Sequence, residues 1–351
     1  MIDLRSDTIS MPTHAMLETI LTAQLGDDGR TDENGRGEDL ATNELEDFAA
    51  EITGKEAGLL FPTGTMANTT AILSVCSPGD KVLVGEIQHI YVTEKAVFDP
   101  SYGQLIPVTY RLNAQNVPCL EDIRRAVTQG GVKLITYETT HNFTGGACTP
   151  LRDMQAVYEF ARENGIPVHL DGARIFNAAC AMKTSVKELC RFTDSVMFCL
   201  SKGLGSGIGS LLCGGNKFIT VAREKRKLFG GAMRQTGIIA APGMYALRYN
   251  LAHLQHDHDN AAHFAAQVKK SRNIKVQGRV DSNIVMLDVS GTGLSPEEFC
   301  DEAKRRGLLI RPILGDRVRV VFYRDIDRDA TEQAIKIVKT MDEQIKRRVG
   351  A

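Results

Sequence analysis

Lysine is the side chain whose amine condenses with carbonyl compounds, and it does so best where its surroundings leave that amine partly deprotonated. Lys202 follows the apolar run Ser195 to Leu200 and sits in Ser201-Lys202-Gly203-Leu204-Gly205-Ser206-Gly207-Ile208-Gly209. Glycines at this density let the backbone pass close to a ligand without side-chain obstruction. A solvated lysine in a glycine-rich turn explains the same residues. A dinucleotide loop does not, because the third glycine of G-x-G-x-x-G would fall on Ile208.

Asp171 closes the run Ile166-Pro167-Val168-His169-Leu170, which puts a carboxylate at the carboxyl end of a buried strand, the edge where open α/β sheets bind ligands. There it can pair with a protonated ring nitrogen or cap the next turn. Pro62-Thr63-Gly64-Thr65 leads into an apolar helix. A glycine and two hydroxyls at a helix amino terminus suit a phosphate, although plain capping by Thr63 or Thr65 accounts for them too. His89 and His141 lie just beyond candidate strands, where an imidazole can stack on a flat ring or move a proton. His253, His256 and His258 read as a solvated helix face, because i, i+3, i+5 spacing spreads them around the helix, and no metal site is expected.

Elements able to position these groups are legible along the chain. Candidate strands are Lys81 to Val84, Val132 to Tyr137, Pro167 to Leu170, Ser195 to Leu200 and Ser210 to Cys213. They alternate with helical patterns such as Leu45, Phe48, Ala49, Ile52 and Met154, Val157, Tyr158, Ala161, so the fold class is α/β with a mostly parallel sheet between helices. From about Ala241 the texture becomes α+β, with strands at Asn283 to Val289 and Val318 to Phe322 and helices at Pro296 to Arg306 and Ala330 to Arg347. The expected organisation is a large domain, 1–240, whose first residues form an arm near the site, and a small carboxyl-terminal domain, 241–351. Gly26 to Asp39, rich in glycine and charge without apolar periodicity, reads as a long loop, of the kind that is either a lid or a disordered excursion.

The 351 residues are 43% hydrophobic and 24% charged, the balance of an ordinary globular protein. A net charge of -1, from 42 basic and 43 acidic residues, makes no electrostatic case for nucleic acid or an anionic membrane, and a small molecule is the expected partner. No apolar run approaches the roughly 20 residues of a membrane span, and the polar start lacks the pattern of a secretory signal. Eight scattered cysteines, none paired at metal or redox spacing, read as reduced thiols of a cytoplasmic protein.

Taken together, these pieces resemble the L-threonine aldolase family, including the low-specificity and L-allo-threonine aldolases. These are β-eliminating-type enzymes of the aspartate-aminotransferase fold (fold type I) that carry pyridoxal 5'-phosphate. The most specific stretches are Leu4-Arg5-Ser6-Asp7-Thr8, Pro62-Thr63-Gly64-Thr65 with Ala67-Asn68, Thr140-His141-Asn142, Asp171 to Asn177, Ser201 to Gly205 and Met233-Arg234-Gln235. The resemblance implies that Lys202 holds the cofactor, Asp171 meets its ring nitrogen and His89 stacks on it. Gly64 and Thr65 would hold the phosphate, with Lys227 and Arg234 reaching it, in one arrangement from a neighbouring subunit. Ser6, Arg174 and Arg319 would grip the substrate carboxylate, a task for which the planar guanidinium fork is suited. A homodimer or homotetramer with sites at the subunit interface is implied as well.

The implied reaction is retro-aldol cleavage of L-threonine, L-allo-threonine and similar β-hydroxy-α-amino acids to glycine and an aldehyde, with His89 or His141 taking the hydroxyl proton directly or through water. Where the family has a short Gly-Asp-Asp-Val-Tyr-Gly type segment, this chain reads Gly26 to Asp39, with residues inserted and no tyrosine. An alanine or serine racemase, or another lyase, on the same scaffold is the closest rival. A cofactor-free binding protein is the rival of another class.

Overall fold

The computed structural model describes residues 1–33 and 35–349. After a two-residue strand β1 (Ile2–Asp3), seven strands build the large sheet: β2 (Ala57–Phe61), β3 (Lys81–Gly85), β4 (Ile106–Tyr110), β5 (Val132–Glu138), β6 (Val168–Asp171), β7 (Ser195–Cys199) and β8 (Ser210–Gly214). Their spatial order is β2-β8-β7-β6-β5-β3-β4. Only β8 runs against its neighbours, so the sheet is mostly parallel, as its near-continuous apolar strands require.

Helices on both faces owe their ends to local chemistry. The helix Leu40–Thr53 starts where the Asp39 carboxylate accepts the Thr42 N–H and stops at Gly54, whose φ of 66° suits glycine. The helix Gly64–Leu73 starts where the Thr63 hydroxyl accepts the Met66 N–H. Five of the seven strands follow the apolar runs legible in the sequence. The other two, β2 and β4, lie at the edges; β4 carries Pro107 and is partly solvated, and Ala57, Leu59 and Leu60 of β2 are good helix formers.

Toward the carboxyl end, β9 (Lys275–Gln277), β10 (Ile284–Asp288), β12 (Arg311–Ile313) and β13 (Arg317–Val321) form an antiparallel sheet in the order β12-β13-β10-β9, while β11 (Leu308–Leu309) pairs in parallel with β1. The second core gathers Phe264, Phe299 and Phe322 and takes in Leu4 from the chain's start. With Leu4 fixed there and its carbonyl accepting the Val321 N–H at 2.9 Å, Ser6 and Asp7 are carried to the junction of the two sheets.

Two expectations change. His258 is buried rather than solvated, because the helix Leu254–Val268 turns Asp257, His258, Ala261 and Phe264 inward; His253 and His256 stay exposed. The loop 26–39 is tied down at Gly26, Asp28 and Asp39 rather than free. Asp39 accepts N–H groups from Gly26 and Gly237, and the buried Asp28 pairs with the buried Arg226 at 2.7 Å.

Candidate active site

β6 and β7 are parallel neighbours, so a residue closing one and a residue just past the other open onto the same edge of the sheet. Asp171 is the last residue of β6, and Lys202 lies three residues beyond β7. Both line one cavity of about 540 Å³, as do Gly64, Thr65, His89, Arg174, Ser6 and Arg319. That volume lies in the range of small-ligand sites. Eight of the residues expected at the site therefore converge.

Lys202 is half-buried, and among the described residues its amine has no ion-pair or hydrogen-bond partner. The turn after it depends on glycine: Gly209 has a φ of 107°, where a side chain would be strained. Asp171 is 2% exposed. Its carboxylate accepts the Ala173 N–H at 3.1 Å and the Asn68 amide at 3.1 Å. Asn68 is itself oriented from behind: its carbonyl meets Nε2 of the buried His169 at 3.1 Å, and His169 Nδ1 meets Ser195 Oγ at 2.9 Å. Burial holds His169 down at about 4, against its ordinary 6.5, so the ring is neutral and its Nε2–H fixes the flip of the Asn68 amide.

The first turn of the helix Gly64–Leu73 leaves the Gly64 and Thr65 N–H groups without intrahelical acceptors beside the cavity. A Cβ on Gly64 would lie 2.8 Å from Met197 Cε and 3.0 Å from Cys199 Sγ, so glycine lets this turn seat closely on β7 without displacing those side-chain ends. The His89 ring lies at 21° to that of Phe143, with centroids 6.2 Å apart, and its Nδ1 meets Glu94 at 3.1 Å. Burial opposes its charging, but the Glu94 hydrogen bond, with Asp171 and Glu138 nearby, raises its pKa above the usual value. His89, Glu94 and Asp171 also offer ligand atoms within 4.8 Å of one another, which suits a cationic ring as well as a metal ion.

At the other wall stands a pair of buried arginines. Arg174 is held by Asp7 through two short contacts, Nε to Oδ2 at 2.6 Å and Nη2 to Oδ1 at 2.7 Å. Arg319 donates from Nη1 to Asn142 Oδ1 at 2.6 Å and from Nη2 to the Arg5 carbonyl at 3.2 Å, while its buried Nε has no partner among the described residues. Burial and the Arg174 charge bring Arg319 down to about 10, with Asp7 working the other way. Ser6 lines the cavity and caps the short helix that carries Asp7.

Three expected residues lie elsewhere. His141 is buried with both ring nitrogens unpartnered among the described residues, and its neighbours Asn142 and Phe143 form the cavity wall instead. Lys227 lines a separate groove with Asp28, Arg223 and Arg226, and the exposed Arg234 meets Asp27 at 3.3 Å. No described residue of 26–39 lines the Lys202 cavity. Asp7, Asn68, Glu94 and His169 were missed as contributors. Asp7 and Asn68 sit within stretches already noted, but their partners are remote in sequence.

A mostly parallel seven-stranded sheet with an antiparallel small sheet, and a lysine and carboxylate at the ends of adjacent strands, defines an α/β enzyme of the aspartate-aminotransferase architecture. Residues 3–292 match the family described as beta-eliminating lyase. A low specificity L-threonine aldolase of Escherichia coli O157:H7 is 40% identical over 336 residues, covering 94% of this chain and 96% of the relative. Low-specificity L-threonine aldolase 1 of Arabidopsis thaliana is 35% identical over 335 residues, covering 93% and 92%. Among solved structures, the threonine aldolase of Leishmania major superposes with a TM-score of 0.78 at 16% identity, covering 98% of this chain and all of that one. This chain belongs to the beta-eliminating lyase family. Among the described residues, no helix is long and apolar enough to cross a membrane.

Proposed function

We propose that this chain is a pyridoxal-phosphate-dependent aldehyde-lyase that cleaves L-threonine, L-allo-threonine and similar β-hydroxy-α-amino acids to glycine and an aldehyde. The observation that carries this reading is the meeting, on one cavity, of an unpaired lysine amine and a buried carboxylate from the ends of adjacent strands. The relatives' names support the substrate class.

The donor set fits the cofactor: an amine, a hydrogen-bonded anion, a helix amino terminus and a flat ring line the same space. Bound there, pyridoxal 5'-phosphate supplies an aldehyde that condenses with amines and a ring that accepts an electron pair from the substrate. Lys202 provides the amine that holds it and later displaces the product. Asp171, kept hydrogen-bonded by Asn68 and Ala173, favours a protonated ring nitrogen. Gly64 and Thr65 offer N–H groups to the phosphate.

Ser6, Arg174 and Arg319 hold the substrate carboxylate, and the orientation they impose selects the Cα–Cβ bond for cleavage. His89, with Nδ1 engaged by Glu94, presents Nε2 to take the hydroxyl proton. His141, buried outside the cavity, is the second candidate base and acts through water. Lys227 and Arg234, outside this chain's cavity, are assigned to the phosphate of a neighbouring copy in a homodimer or homotetramer. Ile208, 55% exposed at the cavity edge, supports a covering subunit. The division into 1–240 and 241–351 and a cytoplasmic setting, with all eight cysteines free, complete the reading.

Purified protein should gain a visible absorption band with pyridoxal 5'-phosphate, release glycine and acetaldehyde from both threonines, and lose band and activity in Lys202→Ala. D-alanine formed from L-alanine, with no aldehyde from threonine, would move the assignment to a racemase.

A further inference from the structure

The cavity contains a cation for which the proposed reaction has no task. Arg311 and Ile313 of β12 line it together with Arg319 of β13. The two strands pair antiparallel with Arg311 directly across from Arg319, so both guanidinium side chains leave the small sheet on the same face. Like charges placed opposite each other in this way destabilise a sheet unless an anion lies between or beyond them.

Apart from Lys202, which the cofactor reading employs, the other cationic groups lining the cavity are engaged. Arg174 faces Asp7, His89 faces Glu94, and Arg319 is fixed by Asn142 and the Arg5 carbonyl. Arg311 is exposed and, among the described residues, meets no carboxylate and donates no hydrogen bond. One α-carboxylate is already provided for by Ser6, Arg174 and Arg319. The helix terminus suited to phosphate belongs to the large sheet, whereas Arg311 rises from the small one beside the carboxylate clamp. Ile313, two residues along β12 and therefore on the same face, adds apolar surface next to the free guanidinium. A cation next to a short apolar surface matches an acid borne on the β-carbon either directly or through one methylene.

We propose that this site prefers β-hydroxy-α-amino acids whose side chain ends in a second carboxylate, with Arg311 as the residue that reads it. This rests on the lyase reading above. For β-hydroxyaspartate, the hydroxyl proton leaves to a base and the Cα–Cβ bond breaks. The β-carbon departs as the aldehyde of glyoxylate, and the electron pair left on Cα takes up a proton to give glycine.

The test compares β-hydroxyaspartate, β-hydroxyglutamate and threonine on the cofactor-loaded wild type and on Arg311→Gln, alongside calorimetric binding of succinate and propionate to both proteins. Wild type should favour an acidic substrate by about tenfold or more in kcat/KM, a ratio that falls to about one in the variant. Succinate affinity should weaken by about tenfold in the variant, with propionate affinity changing far less. A wild-type ratio of one or below overturns the proposal. So does an equal loss on all three substrates, which puts Arg311 on the α-carboxylate, or dissociation of an oligomer in the variant, which gives it to a partner subunit. If no substrate is cleaved, the lyase reading fails, and the succinate comparison still decides whether Arg311 reads a second acid.

Discussion

Asp7 and Arg174 form a bidentate ion pair sealed from solvent, 167 residues apart in the chain, with contacts of 2.6 and 2.7 Å. Arg174 thereby commits Nε and Nη2 to Asp7 while its Nη1 donates to Asn142 Oδ1 at 3.4 Å, and Asp7 offsets the repulsion between Arg174 and Arg319. Burial alone would raise the Asp7 pKa, but Arg174, Lys202 and Arg319 hold it down at about 2. Asp7→Asn strips that charge and leaves two guanidinium groups facing each other. Breaking a buried pair in this way costs about 3–5 kcal/mol. Urea unfolding should report that loss near neutral pH, with a raised KM for threonine. Because the folded pKa is depressed, the stabilisation is present above the ordinary 3.8 and disappears as pH falls through about 2. The difference between wild type and variant should close in that window, and a constant gap across it would contradict the charge argument.

The relay Ser195–His169–Asn68–Asp171 predicts a second effect. Asn68→Leu removes the amide donor from Asp171 and leaves His169 Nε2–H buried without an acceptor. The variant should hold pyridoxal 5'-phosphate about tenfold more weakly, since a hydrogen bond to a charged group contributes roughly 1.5–3 kcal/mol. Equilibrium dialysis read by absorbance checks it; unchanged affinity would show that Asp171 needs no support.

Lys202 and Asp171 were legible because strand ends, glycine runs and a terminal carboxylate are local patterns. Much of the sheet was legible for the same reason, since β5, β6 and β7 are short, largely buried and mostly apolar runs. What stayed hidden depends on tertiary register. Nothing near Asp7 announces Arg174, and nothing near Arg311 announces Arg319, until a cross-strand pairing puts them side by side. The inward turn of His258 likewise follows from which face of its helix meets the body, where Asn177 Nδ2 approaches its ring at 3.2 Å.

Glu94 and His89 predict a shift in the pH profile. The His89 pKa is raised because Glu94, Asp171 and Glu138 outweigh burial. As a base, His89 must be unprotonated, so the acid limb of kcat/KM should lie above the ordinary histidine value. Glu94→Gln removes the largest of these supports, and the limb should move to lower pH while kcat drops by about tenfold. The stability that this pair contributes runs the other way, full below 6.5 and lost as pH rises through the folded pKa. A limb that does not move assigns the titration to another group.

Asp257 predicts a substitution that stabilises. It is 2% exposed, its Oδ2 has no partner among the described residues, and burial together with Asp7 raises its pKa to about 8. Between about 4 and 8 the folded chain therefore keeps a proton that the unfolded chain has released. Stability then falls as pH climbs through that interval, because ionising a buried carboxyl without a partner is unfavourable. Asp257→Asn preserves shape and removes the titration, so it should raise the unfolding free energy at pH 8 by roughly 1–3 kcal/mol and flatten its pH slope between 5 and 8. At pH 4, where both side chains are neutral in the fold, that advantage should disappear. A variant less stable than wild type at pH 8 would mean that the carboxylate is ionised there and held by Arg324, a cation that lowers its pKa.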